Sequence, residues 1–413
     1  MAAEVGMSCT RNRAGCRQSG SPSRRSTPEP RAEFPINPGL PSSAIPRDDH
    51  PEPLGRLERL QGPGRPTARI RRRFETAAYD LVQDPDTLEV FGVLVRSGNR
   101  ELAIRARQAV IMCTGGFENN AQMQKDYFGL DRVYTLGTPG NTGDGLKMLQ
   151  KAGAEMWHLR SRNQSGGFWP AMKFPEYEGA FFRNIRMTSG NWIDIGKDSR
   201  RFYNEGIPYG PTHYREFKNG HWVDVPLPYV LPAHMIFDEA TRLQDRICLD
   251  RDWMGWNHVV LNYRWSQDNS VEVEKGWIVK ADSIRELAEK IGRDPAALEA
   301  VVSDYNRFAR NGQDPEFGRP AESMKPIANG PFYAVELVPA IVCTTGGGVR
   351  NSKSQVIDTN GAPIPRLYEA GELGSTIANI YQNGSFLTEC MVFGRLAGRH
   401  AVRETSRELV AVR

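Results

Sequence analysis

The sequence predicts an α/β protein, and three observations favour this class. A small β-meander is indicated between residues 74 and 104, a wholly apolar strand then ends in glycines, and an amphipathic helix follows a glycine-rich turn. The 413 residues, 39% of them hydrophobic and 25% charged, are enough for two or three domains with a large core. The composition excludes collagen, a wholly disordered chain and a membrane-spanning segment.

Charge and metal-ligand spacing exclude several partners. The formal net charge is +4, and the arginine-rich first 75 residues carry the excess, so the remainder is close to neutral. We therefore expect neither nucleic acid nor an anionic membrane as a partner. The 6 cysteines and 7 histidines show no CxxC or HxxxH spacing, so we expect no metal and a reducing, cytoplasmic location.

Residues 1–68 alternate Arg, Ser, Pro and Gly without helical or strand periodicity, which predicts a disordered tail. Two other interpretations stay open. The composition is also typical of a transit peptide or twin-arginine signal, although no apolar segment follows Arg24-Arg25. An Arg/Pro/Gly-rich stretch without lysine is also what an incorrect reading frame of a GC-rich gene produces, so the segment could be aberrant.

The folded part begins near residue 69. Residues 74–83, 89–96 and 101–104 are predicted strands of the meander. Residues 108–113 form a continuous apolar run, which predicts a strand buried on both faces of a sheet. The glycines of Thr114-Gly115-Gly116 then permit close backbone approach to a ligand, or serve only a tight turn.

A second glycine-rich turn, residues 140–145, precedes a predicted helix over 146–154. Such a turn points free N–H groups and the positive helix dipole toward an anion or a polarised carbonyl. Thr142, Gly143 and Asp144 are the candidate binding residues. In the alternative interpretation, Asp144 only caps the helix.

The middle of the chain is rich in aromatic residues. Residues 161–280 show no long regular run, which is typical of a mixed α+β region able to line an apolar pocket or simply to form core. Two structural helices are predicted over residues 283–291 and 295–311. Their caps and stops are Asp282 or Ser283, Asp294, Gly292 and Gly312.

The last 75 residues carry the densest pattern. Strands are predicted over 332–338 and 340–343, followed by Thr344 and a glycine triplet. A hairpin over 355–365 has Asn360-Gly361 at its tip, and a short strand over 367–370 leads to Glu372. An apolar helix is predicted over 386–402.

Five sequence pieces, taken in order, resemble one known family. They are AVIMCTGGFE (109–118), NTGDGLKMLQKAGAE (141–155), RRFYNE (200–205), YNRFARNGQDPEFGR (305–319) and the glycine-rich stretch over 331–398. As a set they are similar to the flavoprotein subunits of fumarate reductase and succinate dehydrogenase, a superfamily that includes ketosteroid Δ1-dehydrogenases. The resemblance extends from about residue 74 to residue 400.

The resemblance implies a fold and a division of the chain. It implies an α/β FAD-binding (Rossmann-like) domain in two segments, residues 69–160 and 339–413. An α+β capping or substrate domain, residues 161–338, is inserted between them. In the family, an N-terminal βαβ unit with GxGxxG binds the pyrophosphate. Residues 1–73 contain no such motif, so we expect the chain to be the C-terminal part of a longer flavoprotein, with weak or absent FAD binding.

The resemblance also implies contacts with a non-covalently bound FAD. Glu372 would accept hydrogen bonds from ribityl hydroxyls, and the N–H groups of Leu387 and Thr388 would face the flavin pyrimidine oxygen. The remaining implied cofactor contacts are Thr114, Gly115, Gly116, Thr142, Gly143, Asp144, Thr344 and Ser385.

The residues that bind a dicarboxylate in fumarate reductases are changed here. Tyr209 and Tyr381 stand where the family has two arginines, and Cys343 stands where it has a histidine. Without those cations a dicarboxylate is disfavoured. Tyr381 lies four residues before Ser385, a spacing similar to that of ketosteroid dehydrogenases, and a phenol can polarise a carbonyl or remove a proton.

Tyr209 and Tyr381 are therefore the candidate catalytic residues, and His213, Cys343, Gln382 and Ser385 the candidate substrate-binding ones. Alternatively the tyrosines and Cys343 only pack. We expect an FAD-dependent oxidoreductase acting on a CH–CH or C=C bond next to a carbonyl of a mainly apolar, steroid-like small molecule, with an unknown electron acceptor. The alternatives are a fumarate reductase-like enzyme for unsaturated carboxylates and a catalytically silent flavoprotein fragment.

Overall fold

The structure is a computed structural model, and it describes most of the chain from residue 71 to residue 405. The described ranges are 71–135, 137, 139–161, 168–184, 187–206, 215–218, 221–224, 227–248, 263–377 and 385–405. The predicted N-terminal tail, residues 1–68, lies outside them.

Strands of different length are spread along the described chain. They are β1 (Ala77–Gln83), β2 (Val90–Ser97), β3 (Arg100–Arg105), β4 (Val110–Met112), β5 (Tyr134–Thr135), β6 (Met156–Trp157), β7 (Trp169–Met172), β8 (Phe181–Phe182), β9 (Trp192–Ile195), β10 (Arg215–Lys218), β11 (His221–Asp224), β12 (Ala233–Asp238), β13 (Val279–Ala281), β14 (Phe332–Ile341), β15 (Gly347–Gly348), β16 (Gln355–Ile357) and β17 (Pro363–Glu369).

The helices lie between these strands and after the last of them. They are α1 (Ala121–Phe128), α2 (Asp144–Lys151), α3 (Glu239–Gln244), α4 (Ser270–Glu274), α5 (Ile284–Lys290), α6 (Pro295–Asn311) and α7 (Ser385–Ala401). None of the helices that the structure describes is both long and apolar enough to cross a membrane.

The meander is confirmed. Strands β1, β2 and β3 form a three-stranded antiparallel sheet in that order. The turn between β1 and β2 forms because the Asp84 carboxylate accepts hydrogen bonds from the N–H groups of Asp86 (3.0 Å) and Thr87 (2.9 Å). The local sequence is therefore sufficient to close this sheet.

The largest sheet lies in the middle of the chain. Its strand order is β8-β7-β14-β12-β9, and β5 and β13 also pair with β14. The predicted break within residues 332–343 is wrong, because β14 continues through Pro339. Pro339 lies opposite Pro170 of β7, so two residues that cannot donate hydrogen bonds share one register position and the ladder continues on both sides.

Helices α5 and α6 pack against this sheet and are confirmed almost to the residue. The Ser283 hydroxyl accepts from Glu286 N at 3.1 Å, and the Asp294 carboxylate accepts from Ala297 N at 2.9 Å. Gly312, at φ 65°, ends α6 in the left-handed conformation. Their apolar faces share a buried cluster with the sheet that includes Leu287 and Tyr305.

A network of buried arginines and acids supports the same sheet. We call it the arginine network, and its members are Arg183, Asp194, Arg201, Tyr203, Glu205, Asp314 and Arg319. Arg201 pairs with Glu205 at 2.5 Å and with Asp314 at 2.9 Å. Arg183 contacts both carboxylate oxygens of Asp194, at 2.9 and 2.8 Å. The pieces RRFYNE and YNRFARNGQDPEFGR, distant in sequence, therefore meet in one buried structure.

The beginning and the end of the described chain join in a smaller sheet of order β16-β17-β4. Strand β17 runs parallel to β4, with Leu367 opposite Val110, and α7 covers one face through Ala397 and Ala401. The prediction that residues 108–113 are buried on both faces is wrong. Within the described residues only β17 pairs with β4, and Ile111 is 38% exposed.

The hairpin over residues 355–365 forms with a longer turn than predicted. Strand β16 ends at Ile357 and β17 begins at Pro363, so residues beyond Asn360-Gly361 take part in the connection. The Asp358 carboxylate organises it by accepting from the N–H groups of Asn360 (2.9 Å) and Ala362 (2.8 Å). The strand predicted over 367–370 is the continuation of β17.

Candidate cofactor site

Three segments that are far apart in sequence meet beyond the ends of β4 and β14. They are residues 114–118 after β4, residues 140–145 before α2 and residues 343–348 after β14, and we call them the glycine turn cluster. Gly143 N donates to the Gly116 carbonyl at 3.2 Å, and Phe117 N donates to the Thr344 hydroxyl at 2.7 Å. The structure thus brings together the cofactor residues predicted in these segments.

The glycines of the cluster allow the segments to touch. A Cβ atom on Gly116 would lie 2.1 Å from Thr344 Oγ1, and one on Gly145 would lie 1.7 Å from Thr114 Oγ1. Gly143 has φ +80°, a conformation that favours glycine. At these positions the glycines therefore permit contact between protein segments.

Several members of the cluster remain accessible from outside. Thr114 and Asp144 are exposed, and Gly115 and Thr142 are half-buried. Thr344, in contrast, is 0% exposed and its hydroxyl bonds within the protein. A ligand would therefore meet the first two segments of the cluster directly, whereas the Thr344 side chain is engaged behind them.

Glu118 lies at the centre of the cluster and was missed by the predictions from sequence. Its Oε1 accepts from Asn141 Nδ2 at 2.6 Å, and its Oε2 accepts from Thr344 Oγ1 at 3.1 Å and Thr344 N at 3.3 Å. The side chain is 1% exposed, and burial raises the pKa of its carboxyl against the opposing effect of these hydrogen bonds. The available sequence signal was its position two residues after Gly116 in the resembling motif.

Helix α2 begins at the second segment of the cluster. Its N-cap is Gly143, which supplies no side-chain cap, and Asp144 is the first helical residue. The Asp144 carboxylate accepts from the Thr142 hydroxyl at 2.9 Å. Asp144 is therefore not the N-cap, and the positive end of the helix dipole faces the accessible side of the cluster.

Glu372 lies next to Cys343, the first residue of the third segment of the cluster. Glu372, half-buried just beyond β17, has its pKa raised to about 7 by burial and by the charge of Glu118. Cys343 is 3% exposed, and burial, reinforced by the charges of Glu372 and Glu118, raises the pKa of its thiol well above the ordinary value. The thiol is therefore neutral near pH 7 and unsuited to act as a nucleophile.

A second buried carboxyl belongs to Glu369, the last residue of β17, which precedes Glu372 in the chain. It is 0% exposed, and Cβ atoms on Gly348 and Gly374 would lie 2.9 and 2.2 Å from its oxygens. Neither oxygen makes a hydrogen bond of normal geometry within the described residues. Burial raises its pKa to about 8, although the nearby Arg350 charge and the Gly348 backbone act in the opposite direction.

The first turns of α7 complete this side of the molecule. Glu389 accepts from Thr376 N at 2.6 Å and pairs with Arg350, which ties α7 to the chain that follows Glu372. Leu387 is 61% exposed and Thr388 is half-buried. The contacts of Glu389 therefore bring the start of α7 close to the chain that follows Glu372. Only the backbone of Ser385 is described, and the predicted cofactor contacts of α7 stay predictions.

The predicted substrate residues fall mainly outside the described residues. This holds for Tyr209, His213, Tyr381 and Gln382. Cys343 is the one whose side chain is described. Their predicted roles therefore stay predictions.

The described groups fit the flavin part of FAD. Glu372 offers a half-buried carboxylate to hydroxyl donors, and Gly115 offers half-buried backbone beside the Asn141 side chain. The N-terminus of α2 adds a region of positive dipole. An acceptor for hydroxyls, glycine backbone and an uncapped helix end are what a polyhydroxylated ligand with a planar, electron-accepting ring requires.

Comparison with protein families identifies one match. Residues 55–386 match the family described as "FAD binding domain", which is more than half of the chain. This range contains all three segments of the glycine turn cluster and Glu372.

Three curated relatives are an oxidoreductase and two dehydrogenases. NADH:acrylate oxidoreductase of Vibrio harveyi is 30% identical over 79% of this chain and 30% of its own length. 4-Oxocyclohexanecarboxylate 2-dehydrogenase of Sinomonas cyclohexanicum is 31% identical over 80% of this chain and 57% of its own. 3-Oxosteroid 1-dehydrogenase of Mycolicibacterium smegmatis is 30% identical over 78% and 57%. The chain thus spans between about a third and three fifths of these relatives.

Two solved structures share the fold. 3-Ketosteroid Δ1-dehydrogenase of Sterolibacterium denitrificans, in complex with 1,4-androstadiene-3,17-dione, superposes with a TM-score of 0.62 at 24% identity, over 79% of this chain and 59% of that one. The open conformation of a flavocytochrome c3 fumarate reductase gives a TM-score of 0.58 at 24% identity, over 85% and 54%. The predicted resemblance to fumarate reductases and ketosteroid dehydrogenases is confirmed.

Proposed function

Because this chain belongs to the FAD binding domain family, we propose that it is an FAD-dependent oxidoreductase. It adds or removes hydrogen across a carbon–carbon bond next to a carbonyl, in a mainly apolar substrate that is steroid-like or smaller. The observation that carries the proposal is the glycine turn cluster, with Glu372 next to its residue Cys343 and the start of α7 close to the chain that follows Glu372.

Each of these groups has a role toward the cofactor. When bound, FAD supplies a two-electron acceptor or donor for the substrate bond. Glu372 would bind ribityl hydroxyls, and the N-terminus of α7 would stabilise the negative charge that the pyrimidine oxygen gains on reduction. Gly115 would contribute backbone to the same site. The domain division is part of the proposal, with residues 69–160 and 339–413 binding the cofactor and residues 161–338 capping it.

Two considerations support an uncharged carbonyl substrate. Tyr209, Tyr381 and Cys343 replace the cations that hold a dicarboxylate in fumarate reductases. Moreover, the strongest electrostatic influences on the Cys343 thiol come from carboxyl groups, those of Glu372 and Glu118. When ionised, these carboxyl groups repel a dianion and leave a neutral ketone unaffected.

In this proposal Tyr381 and Tyr209 act on the substrate. A phenol hydroxyl donates a hydrogen bond to the carbonyl and polarises it, which acidifies the neighbouring C–H bond. The second tyrosine then removes or supplies the proton. Two of the relatives described above carry a ring ketone in their names, which supports this class of substrate.

The experiment uses the full 413-residue chain. FAD is titrated by fluorescence quenching and visible absorbance, and the loaded protein is assayed anaerobically with a 3-ketosteroid and an artificial electron acceptor. Parallel assays offer fumarate and acrylate with a reduced viologen. Because residues 1–73 lack a GxGxxG motif, we expect weak but saturable flavin binding, together with turnover of the ketone. A chain that binds no FAD contradicts the cofactor assignment, and turnover of fumarate without any ketone turnover contradicts the substrate assignment.

A matched pair of variants tests the tyrosine role. Tyr381→Phe removes the hydroxyl and should lower kcat at least tenfold without changing FAD affinity, in the range of one general acid–base group. Tyr229→Phe is the control, because Tyr229 is 65% exposed at the surface. Equal activities of the two variants would remove Tyr381 from the mechanism.

The second candidate function is reduction of an unsaturated carboxylate. The name of the Vibrio harveyi relative, an acrylate oxidoreductase, favours it. Acrylate carries one charge and needs a single cationic or hydrogen-bonding partner, so the loss of two arginines excludes it less strongly than fumarate. The acrylate arm of the same assay separates the two candidates.

A further inference from the structure

Glu118 is a buried acid that neutral donors hold between separate segments of the described chain. Its partners belong to two separate segments, since Asn141 lies 23 residues and Thr344 226 residues further along the chain. With Phe117 N bonded to the Thr344 hydroxyl, the carboxyl connects all three segments of the glycine turn cluster. No arginine or lysine is among the largest influences on its pKa, which are burial and the hydrogen bonds of Asn141 and Thr344.

The chemistry of these contacts requires a carboxylate. Asn141 Nδ2 and Thr344 N can only donate, so both oxygens of residue 118 must accept. A glutamine would turn its NH2 group toward one of these donors, and Asn141 could accept from it only by turning its own amide over, away from the present contact. Glu118 also packs closely against Gly116, because its Oε2 lies 2.6 Å from the position that a Cβ on Gly116 would take.

We propose that Glu118 is a positioning residue for the cofactor. By holding Thr344 and Asn141, it fixes the Gly115-Gly116 backbone and the start of α2 so that both face the same ligand. The inference rests on the proposed function, because the ligand in question is FAD. Glu118 acts through the backbone of its neighbours, so its own carboxyl need not contact the cofactor.

The test combines FAD affinity with amide hydrogen exchange of the full chain. We expect Glu118→Gln to weaken FAD binding by about ten to a hundredfold, the worth of one lost hydrogen bond to a charged group. We also expect faster exchange in residues 114–118, 140–145 and 343–348 together, because the three segments lose their common anchor. The exchange experiment needs no cofactor.

Asp238→Asn is the matched control. Asp238 is 0% exposed, and its carboxylate accepts from the N–H groups of Ala240, Thr241, Ala328 and Asn329. This variant loses a comparable buried acceptor far from the cluster in sequence. It should lower the melting temperature while leaving FAD affinity and exchange of the three segments unchanged.

A double-mutant cycle with Thr344→Val tests the path of the effect. If Glu118 acts through Thr344, the double variant should lose no more FAD affinity than the worse single variant. Additive losses of FAD affinity would show that Glu118 does not act through Thr344. Should Glu118→Gln fail to fold, Asn141→Ala removes one of the three hydrogen bonds from a half-buried position, with the same expected pattern at smaller size.

The outcomes distinguish failure of the positioning role of Glu118 from failure of the proposed function. Wild-type FAD affinity and unchanged exchange in Glu118→Gln would overturn the positioning role. If the wild-type chain binds no FAD but Glu118→Gln still exchanges faster in all three segments, Glu118 remains their anchor. The cofactor assignment then fails, and the proposed function fails with it. Faster exchange in only one segment would also overturn the proposal, because a local defect does not need a shared anchor.

Discussion

Asp194 and Glu118 are equally buried, at 0% and 1% exposure, but their charges are compensated in different ways. Asp194 lies in the arginine network, where the guanidinium of Arg183 contacts both of its oxygens. Glu118 lies in the glycine turn cluster, where an amide, a hydroxyl and a backbone N–H are its partners. One region pairs its acids with cations, and the other surrounds them with neutral donors.

The difference continues along the cofactor side. Glu369 lacks a hydrogen bond of normal geometry within the described residues, and Glu372 has a pKa of about 7. Against the effect of burial, the hydrogen bond and charge of Arg201 lower the pKa of Asp314, whereas burial outweighs Arg183 and raises the pKa of Asp194. Near the glycine turn cluster burial raises the pKa values of Glu118, Glu369 and Glu372. The comparison teaches that a bonded guanidinium can keep a buried acid ionised, as at Asp314, while the acids beside the glycine turn cluster are shifted toward their neutral form.

The largest expected effect comes from breaking the arginine network. Arg201→Ala removes the cation that lies closest to the buried carboxylates of Glu205 and Asp314, leaving Glu205 only the longer contact with Arg319, and should lower the free energy of unfolding by about 3 to 5 kcal/mol. Arg307→Ala is the control, since its ion pair with Asp304 is exposed and worth about 0 to 1 kcal/mol. Urea denaturation measures both. A small effect in Arg201→Ala would mean that the network does not stabilise the large sheet.

The next effect concerns Glu369. The native carboxyl has a pKa of about 8, above its unfolded value, so the native state retains a proton that the unfolded state loses. This contribution to stability is complete below about pH 4.5 and is lost as pH rises through 8. Glu369→Gln should remove that loss and be more stable than wild type by about 2 to 4 kcal/mol at pH 9.

Denaturation at pH 5, 7 and 9 tests this prediction. Glu101→Gln serves as the control, because Glu101 is exposed at the end of the meander and its pKa is lowered rather than raised. It should leave the slope between pH 7 and 9 unchanged. The same slope in wild type and Glu369→Gln would show that the buried carboxyl is compensated by groups other than those described.

A smaller effect is expected where the segments of the glycine turn cluster touch. Gly116→Ala places a methyl group against Thr344 and Glu118, which should cost about 1 to 3 kcal/mol of stability and weaken FAD binding. Gly398→Ala is the control, because its Cβ would meet nothing within 4 Å in α7 and should gain up to about 1 kcal/mol. Thermal melts and FAD titration of both variants measure the contrast. Tolerance of Gly116→Ala would show that the cluster is looser than its contacts indicate.

The smallest effect in free energy concerns the pH dependence of the cofactor. Protonated Glu372 is a poorer acceptor for ribityl hydroxyls, and its pKa is about 7. FAD affinity should therefore fall about tenfold from pH 8 to pH 6, and Glu372→Gln should bind with weak, pH-independent affinity. Fluorescence titration at several pH values checks this. A wild-type affinity that does not change with pH would argue against contact between Glu372 and the cofactor.

The sequence predicted best what depends on neighbouring residues. Helix α6 was predicted with its correct bounds because Asp294, Pro295 and Gly312 mark its start and end locally. Strand β14 was divided at Pro339 because the tolerance of that proline depends on Pro170, which is distant in sequence. The exposed face of β4 was missed for a similar reason, since an apolar run indicates burial but does not say which strands flank it.

The candidate site shows the same limit. Glycine-rich turns after strands indicated Gly115, Gly116 and Gly143, because glycine patterns reflect local backbone requirements. Glu118 gave no comparable signal, because its burial depends on Asn141 and Thr344. Thr344 was predicted to line the cofactor, but its position behind Phe117 depends on how two strand ends meet. Long-range packing, not local propensity, determines which polar residues become structural.

Strand β4 has a consequence for how this protein behaves at high concentration. Within the described residues its second edge has no partner strand, Ile111 is 38% exposed, and Leu387 and Met391 of the neighbouring α7 are 61% and 64% exposed. An open strand edge beside an apolar surface is a template on which another polypeptide can add a strand. At high concentration such an edge promotes association between copies, unless residues outside the described ranges already pair with β4.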